Sequence, residues 1–122
     1  MTIKAKDIWK YIGWEIVITK KYENEYLPKG VYQIVEKQEY GIILAKDNTD
    51  YILDECEEDD EFEVYDLEES EKLRRLIKYQ CQKIIQLSQE GWSIEDSHYS
   101  ISEELEKLRN YTVALKYLQG LE

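Results

Sequence analysis

The spacing of hydrophobic residues changes once along the chain, near Asp66. Before Asp66, apolar and polar side chains alternate in short segments, which is the period of a β-strand. After Asp66, apolar residues recur every three or four positions, which is typical of an amphipathic helix. The 122-residue chain is therefore predicted to form a single α+β domain over residues 1–122, mainly β in residues 1–66 and mainly α in residues 67–122.

Five strands are predicted in the first half of the chain. In the first strand, Trp14, Ile16 and Ile18 share one face, and turn sequences at residues 27–30 and 47–50 separate later strands. Five short strands cannot bury a core as a flat sheet, so we expect a small antiparallel sheet that packs on helices or curls into an SH3-like barrel. The predicted strands are Trp14–Tyr22, Val31–Lys37, Tyr40–Lys46, Tyr51–Glu55 and Glu61–Tyr65.

Two long helices are predicted in the second half of the chain, from Asp66 to Gly91 and from Ser100 to Gly120. Asp66 and Ser100 each precede a glutamate by three positions, which is the pattern of a capping box. Because about ten residues join two helices of similar length, we expect an antiparallel helical hairpin. A weaker helical pattern covers Ile3–Ile12. The residues at helical spacing are Leu73, Leu76, Ile77, Cys81, Ile84 and Ile85, and then Ile101, Leu105, Leu108, Tyr111, Thr112, Leu115 and Leu118.

Negative charge is concentrated in one segment of the chain. Twelve of the 27 acidic residues lie between Asp54 and Glu71, which leaves 15 acidic against 16 basic residues elsewhere and a net charge of −11 overall. Direct binding to DNA, RNA or an anionic membrane requires Lys and Arg that displace counterions, so none of these partners is expected. A basic protein is the partner that this charge favours.

The residues that usually carry chemistry do not form a recognisable pattern. Cys56 and Cys81 are far apart in the sequence, and His98 is the only histidine. The segment 54–63 has abundant carboxylates but lacks the glycine that a calcium-binding loop requires. We therefore expect no metal, no cofactor and no enzymatic activity.

The cellular location is inferred from the same absence of signals. The first residues contain no apolar core typical of a signal peptide, and no apolar run reaches the roughly 18 residues of a membrane span. Two cysteines without a disulfide spacing suit a reducing compartment. We expect a cytoplasmic protein.

The acidic segment and the tyrosines are the candidate interaction residues. Glu68, Glu69 and Glu71 have a local explanation, because negative charge stabilises the first turns of a helix and Lys72 and Arg75 can form ion pairs with them. The other carboxylates form either a displayed anionic surface or only a solvated connection. Exposed tyrosines are preferred interface residues. The predicted partner-binding residues are Asp54, Glu55, Glu57, Glu58, Asp59, Asp60, Glu61, Glu63, Tyr22, Tyr26 and Tyr65.

Three functions agree with these observations. The first is a small acidic binding protein of phage or mobile-element type, which inhibits a basic nucleic-acid-binding protein by imitating nucleic acid, as anti-restriction and anti-CRISPR proteins do. The second is a structural or adaptor module that forms a homodimer through residues 67–119, with the acidic segment serving solubility. The third is a small-ligand binder that uses aromatic residues at an oligomer interface.

Overall fold

The structure is a computed structural model that describes residues 1–19, 27–47, 49–54, 56–89 and 94–121. The chain forms two compact units, Met1–Leu67 and Glu68–Glu122, which are called here the sheet unit and the helical unit. The single domain over residues 1–122 stays a prediction. The elements are β1 (Thr2–Lys4), a 3₁₀ helix (Ala5–Tyr11), β2 (Glu15–Ile18), β3 (Gly30–Gln38), β4 (Gly41–Lys46), β5 (Thr49–Leu53), β6 (Glu61–Tyr65), α1 (Glu69–Gln89) and α2 (Ile94–Leu121).

The sheet unit contains an open antiparallel sheet with the strand order β1-β6-β2-β3-β4-β5. The α+β class is confirmed, but the SH3-like barrel is wrong because β1 and β5 are edge strands that do not close on each other. The predicted number of five strands is also wrong, since the described residues form six strands. The additional strand is β1, which pairs Thr2 with Glu63 and Lys4 with Glu61 on β6. With three residues and one apolar side chain, Ile3, it is too short to show an alternating pattern.

One face of the sheet forms the hydrophobic core. Alternation along each strand directs Ile16 and Ile18 of β2 and Phe62 and Val64 of β6 into this core. Ile8 of the 3₁₀ helix is fully buried against them. The core can therefore be closed without a barrel, because a short helix covers the apolar face of the sheet. The other buried core residues are Ile3, Leu27, Tyr32, Ile34, Leu44 and Leu53.

The 3₁₀ helix lies within the segment predicted to be helical, and one of its aromatic residues lies at the surface. Trp9 is 48% exposed. The ammonium groups of Lys10 and Lys37 each lie 5.6 Å from the centroid of its ring, so cation–π contacts replace burial. After the helix, Gly13 adopts a φ of 96°, which glycine adopts without strain. The Gly13 amide then donates to the Ile34 carbonyl at 2.7 Å.

The helical unit is the predicted antiparallel hairpin with different helix starts. Helix α1 begins at Glu69, three residues after the predicted start at Asp66, whose Oδ1 accepts a hydrogen bond from the adjacent Leu67 amide. Helix α2 begins at Ile94 rather than at Ser100, which places the second predicted capping box inside the helix. Within the described residues, no helix combines the length and the apolar character needed to cross a membrane.

The ion pairs and the buried side of the two helices agree only partly with the sequence prediction. The ion pair of Glu71 with Arg75 is present at 2.9 Å, whereas Lys72 pairs with Glu69 at 3.1 Å. Leu105 was expected in the apolar stripe of α2 but is 49% exposed, and Glu104 is buried instead. The α2 surface that faces α1 is therefore rotated relative to the prediction.

Candidate protein-binding surface

Strand β6 divides its side chains between the core and the surface. Phe62 and Val64 are buried, while Glu61, Glu63 and Tyr65 are exposed on the opposite face. Residues two apart on a strand lie about 6.7 Å apart, so Glu61 and Glu63 form a short row of carboxylates with Tyr65 at its end. The sequence places these three residues on one face, and the structure agrees.

A hydrogen-bonded turn precedes β6 and carries the most acidic part of the sequence. The Asp60 amide donates to the Glu57 carbonyl at 3.0 Å, and the Glu57 amide donates to Asp60 Oδ2 at 2.9 Å. The turn is also joined to the start of the 3₁₀ helix, because the Ala5 amide donates to the Asp60 carbonyl at 2.8 Å. The turn and the row on β6 together form the acidic edge, which comprises Glu57, Glu58, Asp59, Asp60, Glu61 and Glu63.

Strand β1 places positive charge beside the acidic edge, which the sequence did not reveal. Lys4 Nζ lies 3.6 Å from Asp59 Oδ1, and Lys4 is also the cross-strand partner of Glu61. Glu63 accepts a hydrogen bond from Thr2 Oγ1 at 2.9 Å. These side chains are exposed, so each contact contributes at most about 1 kcal/mol. Lys4 nevertheless reduces the negative potential at the centre of the edge.

Apolar side chains adjoin the acidic row on the same face of the sheet. Val17 on β2 lies opposite Glu63 on one side and opposite Val31 on the other. Val31 is 45% exposed, and Tyr65, opposite Glu15, is 51% exposed. Protein interfaces commonly combine exposed aliphatic and aromatic side chains with a charged rim. The outer face of β6, β2 and β3 therefore has both components.

Of the remaining predicted residues, Asp54 lies elsewhere in the sheet unit and the other three are outside the described part of the chain. Asp54 follows β5, the edge strand at the other side of the sheet, and lies beside Gly41 at the start of β4. Glu55, Tyr22 and Tyr26 lie outside the described residues. The carboxylates beyond residue 67 belong to the helical unit. The run of twelve acidic residues is thus divided among several parts of the structure, and six of the twelve form the acidic edge.

The arrangement is suited to electrostatic binding. Among the described residues, no group of three His, Cys, Asp or Glu side chains is placed to hold a metal ion. The acidic edge instead presents carboxylate oxygens, which accept hydrogen bonds from the guanidinium and ammonium groups of a partner. No protein-family model, curated protein or solved structure matches the chain.

Proposed function

We propose that this protein binds a basic nucleic-acid-binding protein through the acidic edge and thereby blocks access of nucleic acid to that protein. The acidic edge carries this proposal: six carboxylates follow one another along a hydrogen-bonded turn and one strand face. A solvated loop would not require the backbone bonds that join the turn to the 3₁₀ helix. Their presence supports a surface of defined shape.

The distribution of charge supports the same function. The sheet unit contains 17 acidic and 8 basic residues, a net charge of −9, whereas the helical unit contains 10 and 8, a net charge of −2. The unit that carries the acidic edge therefore holds most of the net charge. A concentrated field of one sign accelerates the approach of an oppositely charged partner.

The spacing of the carboxylates is compatible with imitation of nucleic acid. Glu61 and Glu63 lie about 6.7 Å apart along β6, and the phosphates of one DNA strand also repeat regularly, with a rise of roughly 3.4 Å per phosphate along the helix axis. Lysine and arginine side chains that contact phosphates along one DNA strand can thus contact Glu61 and Glu63. Val17, Val31 and Tyr65 then supply the apolar contacts that a phosphate backbone lacks, and these contacts favour this protein over nucleic acid.

Competition with DNA is the experiment that tests this function. A fluorescent duplex is bound to a restriction endonuclease or to a guide-loaded Cas9-type nuclease, and its anisotropy is followed as this protein is added. We expect displacement of the duplex, with affinity that falls as salt rises toward 0.15 M, where charges are screened beyond about 8 Å. Replacing Lys4 by Gln should strengthen displacement, because it removes positive charge from the edge.

Two variants with equal net charge separate the acidic edge from general acidity. In the first, Glu57, Glu58 and Glu61 become Gln, which leaves the turn-forming Asp60 in place. In the control, three exposed acids outside the edge are neutralised: Glu39→Gln, Asp47→Asn and Glu68→Gln. The first variant should lose at least tenfold in affinity, about 1.4 kcal/mol, and the control less than threefold. Equal losses in both variants would mean that the edge is only a solvated charge.

A further inference from the structure

The outward side of α2 carries apolar residues that the hairpin does not cover. Leu105, Val113 and Tyr117 are 49%, 59% and 68% exposed. Val113 and Tyr117 line a groove of about 650 Å³ within the helical unit, together with Leu73 of α1 and Leu118. Contiguous exposed apolar surface in a protein marks an interaction site.

Charged residues lie on the same side of α2 as these exposed apolar residues. At 3.6 residues per turn, Glu106, Arg109, Lys116 and Tyr117 all project within about 60° of Val113. Glu106 and Arg109 lie in the first half of this stripe, and Lys116 lies near its end. An antiparallel pair of α2 helices has one register in which Glu106 of each copy lies opposite Lys116 of the other copy. A parallel pair would place equal charges opposite each other.

We infer that the helical unit binds a second copy of this chain through the outward side of α2, antiparallel and about a twofold axis that crosses the helix at the level of Tyr111, whose own side chain projects away from this surface. The axis lies midway between Glu106 and Lys116, so one pairing generates two equivalent ion-pair positions about 15 Å apart. In this register Tyr117 of each copy lies opposite Leu105 of the other copy, so exposed apolar side chains meet just beyond each ion-pair position, and Val113 lies opposite Arg109. This pairing is independent of the acidic edge and of the function proposed for it.

The net charge of each unit agrees with this assignment. A chain with a charge of −11 repels its copies if the charge is spread evenly. The helical unit has a net charge of only −2, from 10 acidic and 8 basic residues. Self-association through α2 therefore brings together the part of the chain where repulsion is smallest.

A charge-swap experiment tests both the surface and its antiparallel orientation. The mass in solution is measured by light scattering, and the dissociation constant by sedimentation, for wild type, Glu106→Lys, Lys116→Glu and the double variant. Each single variant places two pairs of equal charges across the twofold axis and should weaken the dimer at least about tenfold. The double variant should restore it. A mixture of the two single variants should form a heterodimer, because both of its ion pairs then have opposite signs.

Apolar variants provide a matched control for the surface. Tyr117→Asp should make the protein monomeric, because it places a charge opposite Leu105 of the other copy, whereas Ile85→Asp, which changes an exposed residue of α1 at 55%, should leave the dimer intact. Circular dichroism verifies that each variant retains its helices. A wild-type mass of one chain at high micromolar concentration would overturn the inference. Mixed single variants that remain monomeric would overturn the antiparallel pairing.

Discussion

Glu104 is predicted to stabilise the helical unit more than any exposed carboxylate of α2. It is 6% exposed, and its side chain accepts a hydrogen bond from Gln80 of α1. Lys83 Nζ lies 3.1 Å from Glu104 Oε1, and Lys107 Nζ lies 3.5 Å from the same oxygen. A buried carboxylate is costly unless it is paired and hydrogen-bonded, and here both conditions are met.

The expected magnitudes follow from the exposure of the partners. Removing one member of a fully buried ion pair costs roughly 3–5 kcal/mol, but the side chains of Lys83 and Lys107 are 20% and 42% exposed. Water therefore compensates part of the loss, and Glu104→Gln should lower the free energy of unfolding by about 2 kcal/mol. Lys83→Met should cost about 1 kcal/mol, and Lys107→Met about 0.5 kcal/mol or less, because Lys107 is more exposed.

Urea unfolding followed by far-UV circular dichroism measures these differences, since both long helices of the described chain lie in the helical unit. Glu103→Gln is the matched control, because Glu103 is the adjacent residue and its side chain is exposed. Its unfolding free energy should change by less than about 0.5 kcal/mol. If Glu104→Gln and Glu103→Gln gave equal effects, the buried carboxylate would contribute no net stability, and the ordering by exposure would be refuted.

Two predictions concern the core of the sheet unit. Tyr32→Phe removes the hydrogen bond that the Tyr32 hydroxyl donates to the Pro28 carbonyl and should cost about 1 kcal/mol in thermal or urea unfolding. Burial, and secondarily the charge of Tyr51, raises the pKa of Tyr32 above its ordinary value. Tyr32 therefore ionises first in the unfolded chain, and the free energy of unfolding should fall above about pH 10. If Tyr32→Phe lost stability above about pH 10 as steeply as the wild type does, this reasoning would be contradicted. Ile8→Ala should lower the free energy of unfolding by about 2–5 kcal/mol, because Ile8 is fully buried. The control Ile12→Ala, at a position 37% exposed, should lower it by less than about 1 kcal/mol. Similar losses in the two variants would mean that the 3₁₀ helix does not close the core.

Hydrophobic spacing predicts elements that are long enough to repeat their pattern. Strand β6 has the predicted bounds, Glu61–Tyr65, because Phe62 and Val64 alternate with charged residues. Strand β1 has no repeat and is defined by pairing with β6, which lies about 60 residues away in sequence. That pairing is a long-range contact, so local spacing does not contain it. The barrel was predicted wrongly for a related reason, since local patterns do not show that a 3₁₀ helix covers the core.

The helix starts show how several local signals compete. Ser100 with Glu103 fits a capping box, but Ser93 with Asp96 has similar spacing and precedes the observed start at Ile94. Propensity at a helix start is worth only about 1 kcal/mol, and contacts elsewhere along a helix outweigh it. The burial of Glu104 in place of Leu105 has the same origin, because Lys83 and Gln80 of the other helix provide partners that the α2 sequence does not reveal.

The candidate surface was predictable where its residues lie on one strand or one turn. Glu57 to Glu63 follow one another in the chain, so their proximity needs no tertiary information. Asp54 is only three residues from Glu57, yet it lies beside Gly41 at the other side of the sheet. Lys4, by contrast, is remote from Asp59 in the sequence, yet its ammonium group lies beside the Asp59 carboxylate. Counting the carboxylates in one sequence segment therefore overestimates the negative charge of the surface, because strand pairing places Asp54 elsewhere and brings Lys4 close.

The two proposed surfaces lie on units that differ in net charge. Partner binding through the acidic edge depends on a concentrated negative field, which salt weakens. Pairing through α2 depends on apolar contact and on two ion pairs within a nearly neutral unit. Because the sheet unit has a charge of −9 and the helical unit −2, the chain can retain strong acidity at one surface while its copies associate at another. A dimer would then carry two acidic edges, and a partner that offers two basic sites would bind it more tightly than either edge alone, because the second contact becomes intramolecular.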